Sequence, residues 1–93
     1  MFVLHPDLFE ARTAAMEALE AAGYLWLQHF ASVDITHDER LLEICGIKER
    51  ATAKGIFRAL QKAFPRWCVR QVWFKDFGIE IGWQIEFRVP PQR

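Results

Sequence analysis

The chain has 93 residues and no formal net charge, and 52% of its residues are hydrophobic and 14% aromatic. This content excludes a disordered chain and suffices for a hydrophobic core, so we expect one compact domain over residues 1–93. No stretch approaches the roughly 20 apolar residues of a membrane span, and the first residues do not resemble a signal peptide, which predicts a cytoplasmic protein without a membrane partner.

The first predicted helix covers residues 6–22, because Pro6 suits a first helical turn and Gly23 suits a C-terminal stop. Its apolar stripe comprises Leu8, Phe9, Ala15, Met16, Leu19 and Ala22. Arg12 falls inside this stripe. Either its alkyl chain covers the edge of the core, or its guanidinium holds an anionic ligand. The second alternative needs a pocket shared with tryptophans from later in the chain: Trp26, Trp73 and Trp83.

Two short elements are predicted next. Residues 24–30 are apolar on both faces and too few for a helix, which favours a buried strand. Thr36 is followed three residues later by Glu39, the capping-box pattern, and this predicts a short helix over 36–45 that ends at Gly46.

The third predicted helix covers residues 48–64, with an apolar face of Ala53, Ile56, Phe57, Leu60, Ala63 and Phe64. Positively charged residues recur every four positions on its outer flank: Arg50, Lys54, Arg58 and Lys62. A line of small residues runs beside them: Ala51, Gly55 and Ala59. Because a mid-helix glycine costs about 1 kcal/mol relative to alanine, this line predicts a close neighbour.

The C-terminal third predicts a β-hairpin. Apolar and polar residues alternate over 79–89, and residues 66–75 form the partner strand. A three-residue turn, Asp76-Phe77-Gly78, would place Val69 opposite Ile85, Trp67 opposite Phe87 and Trp73 opposite Ile81. Val72 and Phe74 would then form an apolar spot on the outer face.

Together these elements predict an α+β fold of three helices and a small antiparallel sheet, in the order α-β-α-α-β-β. This order resembles a winged helix-turn-helix domain. The resemblance rests on a Leu-Leu pair, a glycine and an isoleucine that match the turn of that motif: Leu41, Leu42, Gly46 and Ile47. It implies a recognition helix that meets nucleic acid through Lys48, Arg50, Thr52, Lys54 and Arg58.

Catalytic motifs are absent from the sequence, and the two cysteines suit reduced thiols, so we expect a non-enzymatic protein without cofactor or metal.

The charged residues are split unevenly: residues 1–45 carry two basic and eight acidic residues, whereas residues 46–93 carry ten basic and four acidic ones. Such a split suits a polyanion-binding face, a self-complementary dimer, or two halves that neutralise each other.

The leading functional hypothesis is therefore binding of nucleic acid or another polyanion through the basic face of the helix at 48–64, formed by Lys48, Arg50, Lys54, Arg58 and Lys62. The alternative is a protein-interaction or small-ligand domain that acts as a homo-oligomer, its basic face merely solvated. A homodimer interface would then form from Ala51, Gly55, Ala59, Val72 and Phe74.

Overall fold

A computed structural model describes residues 4–77 and 80–91, with side chains described outside 71–81. The elements are α1 (Pro6–Ala21), β1 (Ser32–Thr36), β2 (Leu41–Ile47), α2 (Arg50–Ala63), β3 (Cys68–Phe77) and β4 (Glu80–Arg88). The four strands form one antiparallel sheet in the order β1-β2-β4-β3. The α+β class with an antiparallel sheet is confirmed, but the described residues contain two helices rather than the three expected.

Helix α1 forms where its sequence predicted it. Leu8, Ala15 and Leu19 are fully buried on one side, as the 3.6-residue period requires. The helix ends because Gly23 takes a positive φ of 92°, which lets the N–H of Tyr24 donate to the Leu19 carbonyl at 2.8 Å. Phe9 departs from the predicted stripe, since half of its surface is exposed.

The predicted helix over 36–45 is wrong. Residues 41–47 form strand β2, which pairs with β1 in a hairpin in which Thr36 lies opposite Leu41. The Thr36 hydroxyl donates to the Glu43 carboxylate at 2.5 Å across the hairpin instead of capping a helix. Two-sided pairing of β2, with β1 and with β4, outweighs the local capping pattern. The helix-turn-helix is therefore absent, and the winged-helix resemblance is wrong.

The predicted strand over 24–30 is also wrong. This segment is a turn with one isolated bridge, between Trp26 and Phe30. It joins α1 to β1, and its Leu-Trp-Leu run is exposed rather than buried.

The C-terminal hairpin is present with another register. Val69 lies opposite Phe87, not Ile85, and an irregularity follows between Val69 and Gln71. Asp76 belongs to β3, where it pairs with Ile81, so the expected three-residue turn is not formed from that position; the rest of the turn lies outside the described residues. The other two predicted pairs are also replaced. Phe87 pairs with Val69 instead of Trp67, and Trp73 lies opposite Gln84 instead of Ile81.

Both helices pack on one side of the sheet. Strand residues at alternating positions meet the buried sides of α1 and α2 in a single cluster that includes Leu8, Leu19, Val33, Leu42, Ile44, Ile56, Leu60, Ile85 and Phe87. The residues between them in the strands, among them Asp34, Glu43 and Glu86, lie on the opposite side of the sheet. Neither of the helices in the described ranges is long and apolar enough to cross a membrane.

Arg40, in the turn between β1 and β2, contacts both the start of α1 and the residues that follow β4. Its guanidinium pairs with the Asp7 carboxylate at the start of α1 and donates to the Pro90 carbonyl at 3.2 Å. Its Nε donates to the Val89 carbonyl at 3.0 Å. The Arg40 guanidinium lowers the pKa of Asp7 below its ordinary value, because it hydrogen-bonds to the charged carboxylate. The pair therefore fastens the first turn of α1 to the end of β4.

Candidate polyanion interface

Helix α2 places a row of long cationic side chains in solvent. It spans Arg50–Ala63, two residues shorter at its start than predicted, and buries Ala53, Ile56 and Leu60. With these three residues facing the core, positions four residues apart on the outer flank point away from the sheet. Those positions carry the basic row, whose members are all exposed: Arg50, Lys54, Arg58 and Lys62.

No carboxylate neutralises the basic row within the part of the chain whose side chains are described. The described ion pairs join Arg40 to Asp7 and Arg70 to Glu39, and neither involves α2. The fifth predicted residue, Lys48, is exposed and lies between β2 and α2. The four residues of the basic row thus form a positive flank along about three and a half turns of helix, and none of them has an ion-pair partner among the described side chains.

Most of the described carboxylates occupy other surfaces. Glu17 and Glu20 are exposed on α1. On the side of the sheet away from the helices, Asp34 lies opposite Glu43, and Glu43 lies opposite Glu86. These carboxylates therefore lie away from the basic row of α2, and on the outer side of the sheet Glu43 and Glu86 are near the Arg70 guanidinium.

Strand residues Thr36 and Gln84 both donate to the Glu43 carboxylate, Gln84 at 3.0 Å. Cys45 lies beside Asp34 and Glu43. Burial raises the pKa of the Cys45 thiol to about 11, and the two neighbouring carboxylates add to this because they repel a thiolate. The thiol is therefore protonated at neutral pH and is a poor nucleophile.

A groove of 290 Å³ runs beside the basic row. It is lined by Arg50, Ala53, Lys54 and Phe57 from α2 and by Trp83 from β4. The Phe57 ring is fixed by stacking on Phe87, with centroids 6.2 Å apart and planes 23° apart. The arrangement combines two cations with two aromatic rings, a combination that suits a flat, negatively tethered group. Sequence reasoning assigned Trp83 to another pocket and missed its proximity to Phe57.

Arg12 and Trp26, which were predicted to share a ligand pocket with Trp73 and Trp83, have other contacts in the structure. The Arg12 Nε donates to the Val33 carbonyl at 2.6 Å, and the Trp26 indole donates to the Ala31 carbonyl at 2.8 Å. Trp83 lines the groove beside α2 instead, with neither Arg12 nor Trp26 in its walls. The Trp73 side chain lies outside the described ones. The structure therefore directs Arg12 to the edge strand β1.

The small-residue line of α2 has a close neighbour from the same chain. A Cβ at Gly55 would lie 1.8 Å from the Tyr24 hydroxyl oxygen, so Tyr24 occupies the space that an alanine side chain would need. Ala59 is packed against the core, and Ala51 is exposed. The other predicted interface residues, Val72 and Phe74, lie in β3, and their side chains are outside those described.

Among the described residues, no three histidine, cysteine or acidic side chains are placed to hold a metal ion. His37, which lies next to Asp38 in the β1–β2 turn, is buried, and its Nδ1 accepts a hydrogen bond from the His5 backbone N–H at 3.1 Å. Its ring also lies 5.3 Å from that of Phe9. These contacts give His37 a structural place between α1 and the β1–β2 turn.

Comparison of the chain with protein-family models, with curated proteins and with solved structures found no match.

Proposed function

We propose that this protein is a non-enzymatic binding domain that holds nucleic acid, single-stranded in preference to duplex, through the basic row of α2. The observation that supports the proposal most directly is the exposure of Arg50, Lys54, Arg58 and Lys62 on one flank, without a described carboxylate at ion-pairing distance.

The physical basis is the release of condensed counterions. When protein side chains replace the cations condensed on a nucleic acid, the release of those cations favours binding. This contribution falls steeply as the salt concentration rises. If all four cations contact phosphates, the logarithm of the binding constant should fall with the logarithm of salt concentration with a slope of roughly −3 for a single strand and −4 for a duplex.

The groove beside the row supports nucleic acid over other polyanions and a single strand over a duplex. Phe57 and Trp83 line the groove next to Arg50 and Lys54, so a phosphate held by the cations would place its base beside these rings. Stacking of one base on an aromatic side chain contributes roughly 1 to 3 kcal/mol. A base inside a duplex is already stacked and cannot use this site. Heparin or polyphosphate has no base to offer.

The test is fluorescence anisotropy with a labelled 12-nucleotide single strand and with the matching duplex, each titrated over a range of potassium chloride concentrations. We expect stronger binding of the single strand and the slopes given above. Lys54→Glu combined with Arg58→Glu should weaken binding to every sequence about equally and reduce the steepness of the salt dependence by roughly two phosphate contacts.

The matched control reverses two exposed arginines outside the row, Arg66 and Arg88. Because Arg66→Glu with Arg88→Glu changes the net charge by the same amount, it separates a local site from a general charge effect. Equal loss of binding in the two double variants, or binding that does not respond to salt, would contradict the proposal.

A further inference from the structure

The turn between α1 and β1 exposes three consecutive large apolar side chains, here named the apolar tip: Leu25, Trp26 and Leu27. Their exposed fractions are 44%, 59% and 73%. Between Tyr24 and Phe30 there is no lysine, arginine, aspartate or glutamate. Contiguous exposed apolar surface of this kind is typical of an interaction site, whereas single exposed apolar residues are common and need no explanation.

Hydrogen bonds hold the apolar tip in one conformation. The Leu25 N–H donates to the His29 Nδ1 at 2.9 Å, and the Leu27 N–H donates to the Phe30 carbonyl at 2.8 Å. Leu27 has a φ of 69°, a left-handed conformation that is unfavourable for leucine. The tip therefore presents its most exposed side chain from a strained but hydrogen-bonded turn, which is common at binding sites.

A larger apolar groove lies at the other end of the helix pair, here named the terminal groove. It has a volume of 820 Å³, and its apolar lining includes Ala11, Ala14, Phe64, Trp67, Val89 and Pro90. The rings of Phe64 and Trp67 stack with centroids 4.0 Å apart and planes 8° apart. This stack gives the groove a rigid aromatic surface, and the groove volume is within the range of ligand pockets in proteins.

We propose that the apolar tip of one copy docks in the terminal groove of a second copy. The tip is exposed, apolar and uncharged, and nine of the twelve residues that line the groove are apolar, the other three being Asp7, Glu10 and Arg66, so one chain carries two complementary surfaces. The tip of a chain cannot reach the groove of that same chain, because the tip follows the C-terminal end of α1 whereas the groove is lined by the first half of that helix. The rise from Ala11 to Ala22 alone is roughly 16 Å.

The proposed contact has a definite symmetry. Because the tip of one copy meets the groove of the next, the contact is heterologous, and each added copy leaves a free tip and a free groove. The tip and the terminal groove do not include the basic row of α2, so this association does not depend on the function proposed above. Because only three side chains of the tip enter the groove, we expect weak association, with a dissociation constant of roughly 10 to 100 µM.

The test is sedimentation velocity at protein concentrations from below to above that range. We expect the mean sedimentation coefficient to rise with concentration for the unmodified chain. Leu27→Asn removes the apolar end of the tip and suits the left-handed backbone, so the variant should stay monomeric and unfold at a temperature no lower than the unmodified chain. Ala14→Glu places a charge in the groove and should also stay monomeric, whereas Thr13→Glu, the same charge change one residue away, should still associate.

Mixing the two monomeric variants provides the decisive measurement. Ala14→Glu protein retains an intact tip and Leu27→Asn protein retains an intact groove, so an equimolar mixture should form one-to-one dimers that grow no further. Dimer formation would also show that both variants are folded. An unmodified chain that stays monomeric over the whole concentration range, or a mixture that stays monomeric, would overturn the proposal.

Discussion

Replacing Gly55 with alanine tests the close approach of Tyr24 to α2. On an isolated helix the change should stabilise by about 1 kcal/mol, since alanine favours the helical backbone. Here the added Cβ would lie 1.8 Å from the Tyr24 hydroxyl oxygen and 2.7 Å from its Cζ, so the ring has to leave its place. Full loss of a buried aromatic ring costs about 3 to 5 kcal/mol, and the half-buried Tyr24 should cost roughly 2 to 3. We therefore expect a net destabilisation of about 1 to 2 kcal/mol.

The effect of Gly55→Ala on the free energy of unfolding should change sign when Tyr24 is absent. In a Tyr24→Ala background the space beside Gly55 is empty, so Gly55→Ala should stabilise the protein by about 1 kcal/mol. The difference between the two backgrounds is a coupling free energy of roughly 2 to 3 kcal/mol. Urea denaturation followed by circular dichroism measures all four proteins, and 1 kcal/mol corresponds to about 4 to 8 °C in the midpoint of thermal unfolding.

Ala51→Gly is the matched control, because Ala51 lies one helical turn before Gly55 and is exposed. Its cost should be the same with and without Tyr24. If Gly55→Ala stabilises the unmodified chain as much as the Tyr24→Ala variant, the proposed contact does not exist in solution and the reasoning fails.

Two further predictions concern titratable groups. Because the Asp7 pKa is lowered by Arg40, the pair stabilises the fold fully at pH above about 5 and loses this effect as the pH falls through the lowered pKa. Asp7→Asn should therefore be less stable than the unmodified chain in urea at pH 7, and the difference should shrink as the pH falls below the ordinary aspartate pKa; a constant difference would contradict the assignment. At pH 8, iodoacetamide should modify the exposed Cys68 first, because a Cys45 pKa of about 11 leaves roughly 100-fold less thiolate than an ordinary thiol would have. Mass spectrometry of timed samples checks this, and equal rates at the two cysteines would be inconsistent with the burial of Cys45.

The elements predicted well are those whose signals are local. Helices α1 and α2 each have a 3.6-residue apolar period, and a glycine or proline marks each end of the first. Residues 41–47 show the opposite case. Their apolar residues fit either a short helix or a strand, and the capping pattern at Thr36 favoured the helix. Pairing with β1 on one side and β4 on the other made the segment a central strand, and neither partner lies in the local window.

The candidate site also has one part that the sequence predicts and one part that it does not. The four-residue spacing of Arg50, Lys54, Arg58 and Lys62 was enough to place them on one flank of a helix, since helical geometry depends on sequence separation alone. The groove beside them was not predictable, because Phe57 and Trp83 meet only through the packing of α2 on β4. The small residue at position 55 signalled a close neighbour but not its identity.

The sequence alone determined the α+β class, the two helices, the presence of a C-terminal hairpin and the uneven distribution of charge, because each follows from local periodicity or composition. Only the tertiary structure decided that residues 41–47 are a strand, that the Leu-Trp-Leu run is exposed, and that Tyr24 covers Gly55. Each of these depends on contacts between residues distant in the chain or on burial by the whole fold, and the energy of such contacts outweighs local propensities of a few tenths of a kcal/mol per residue.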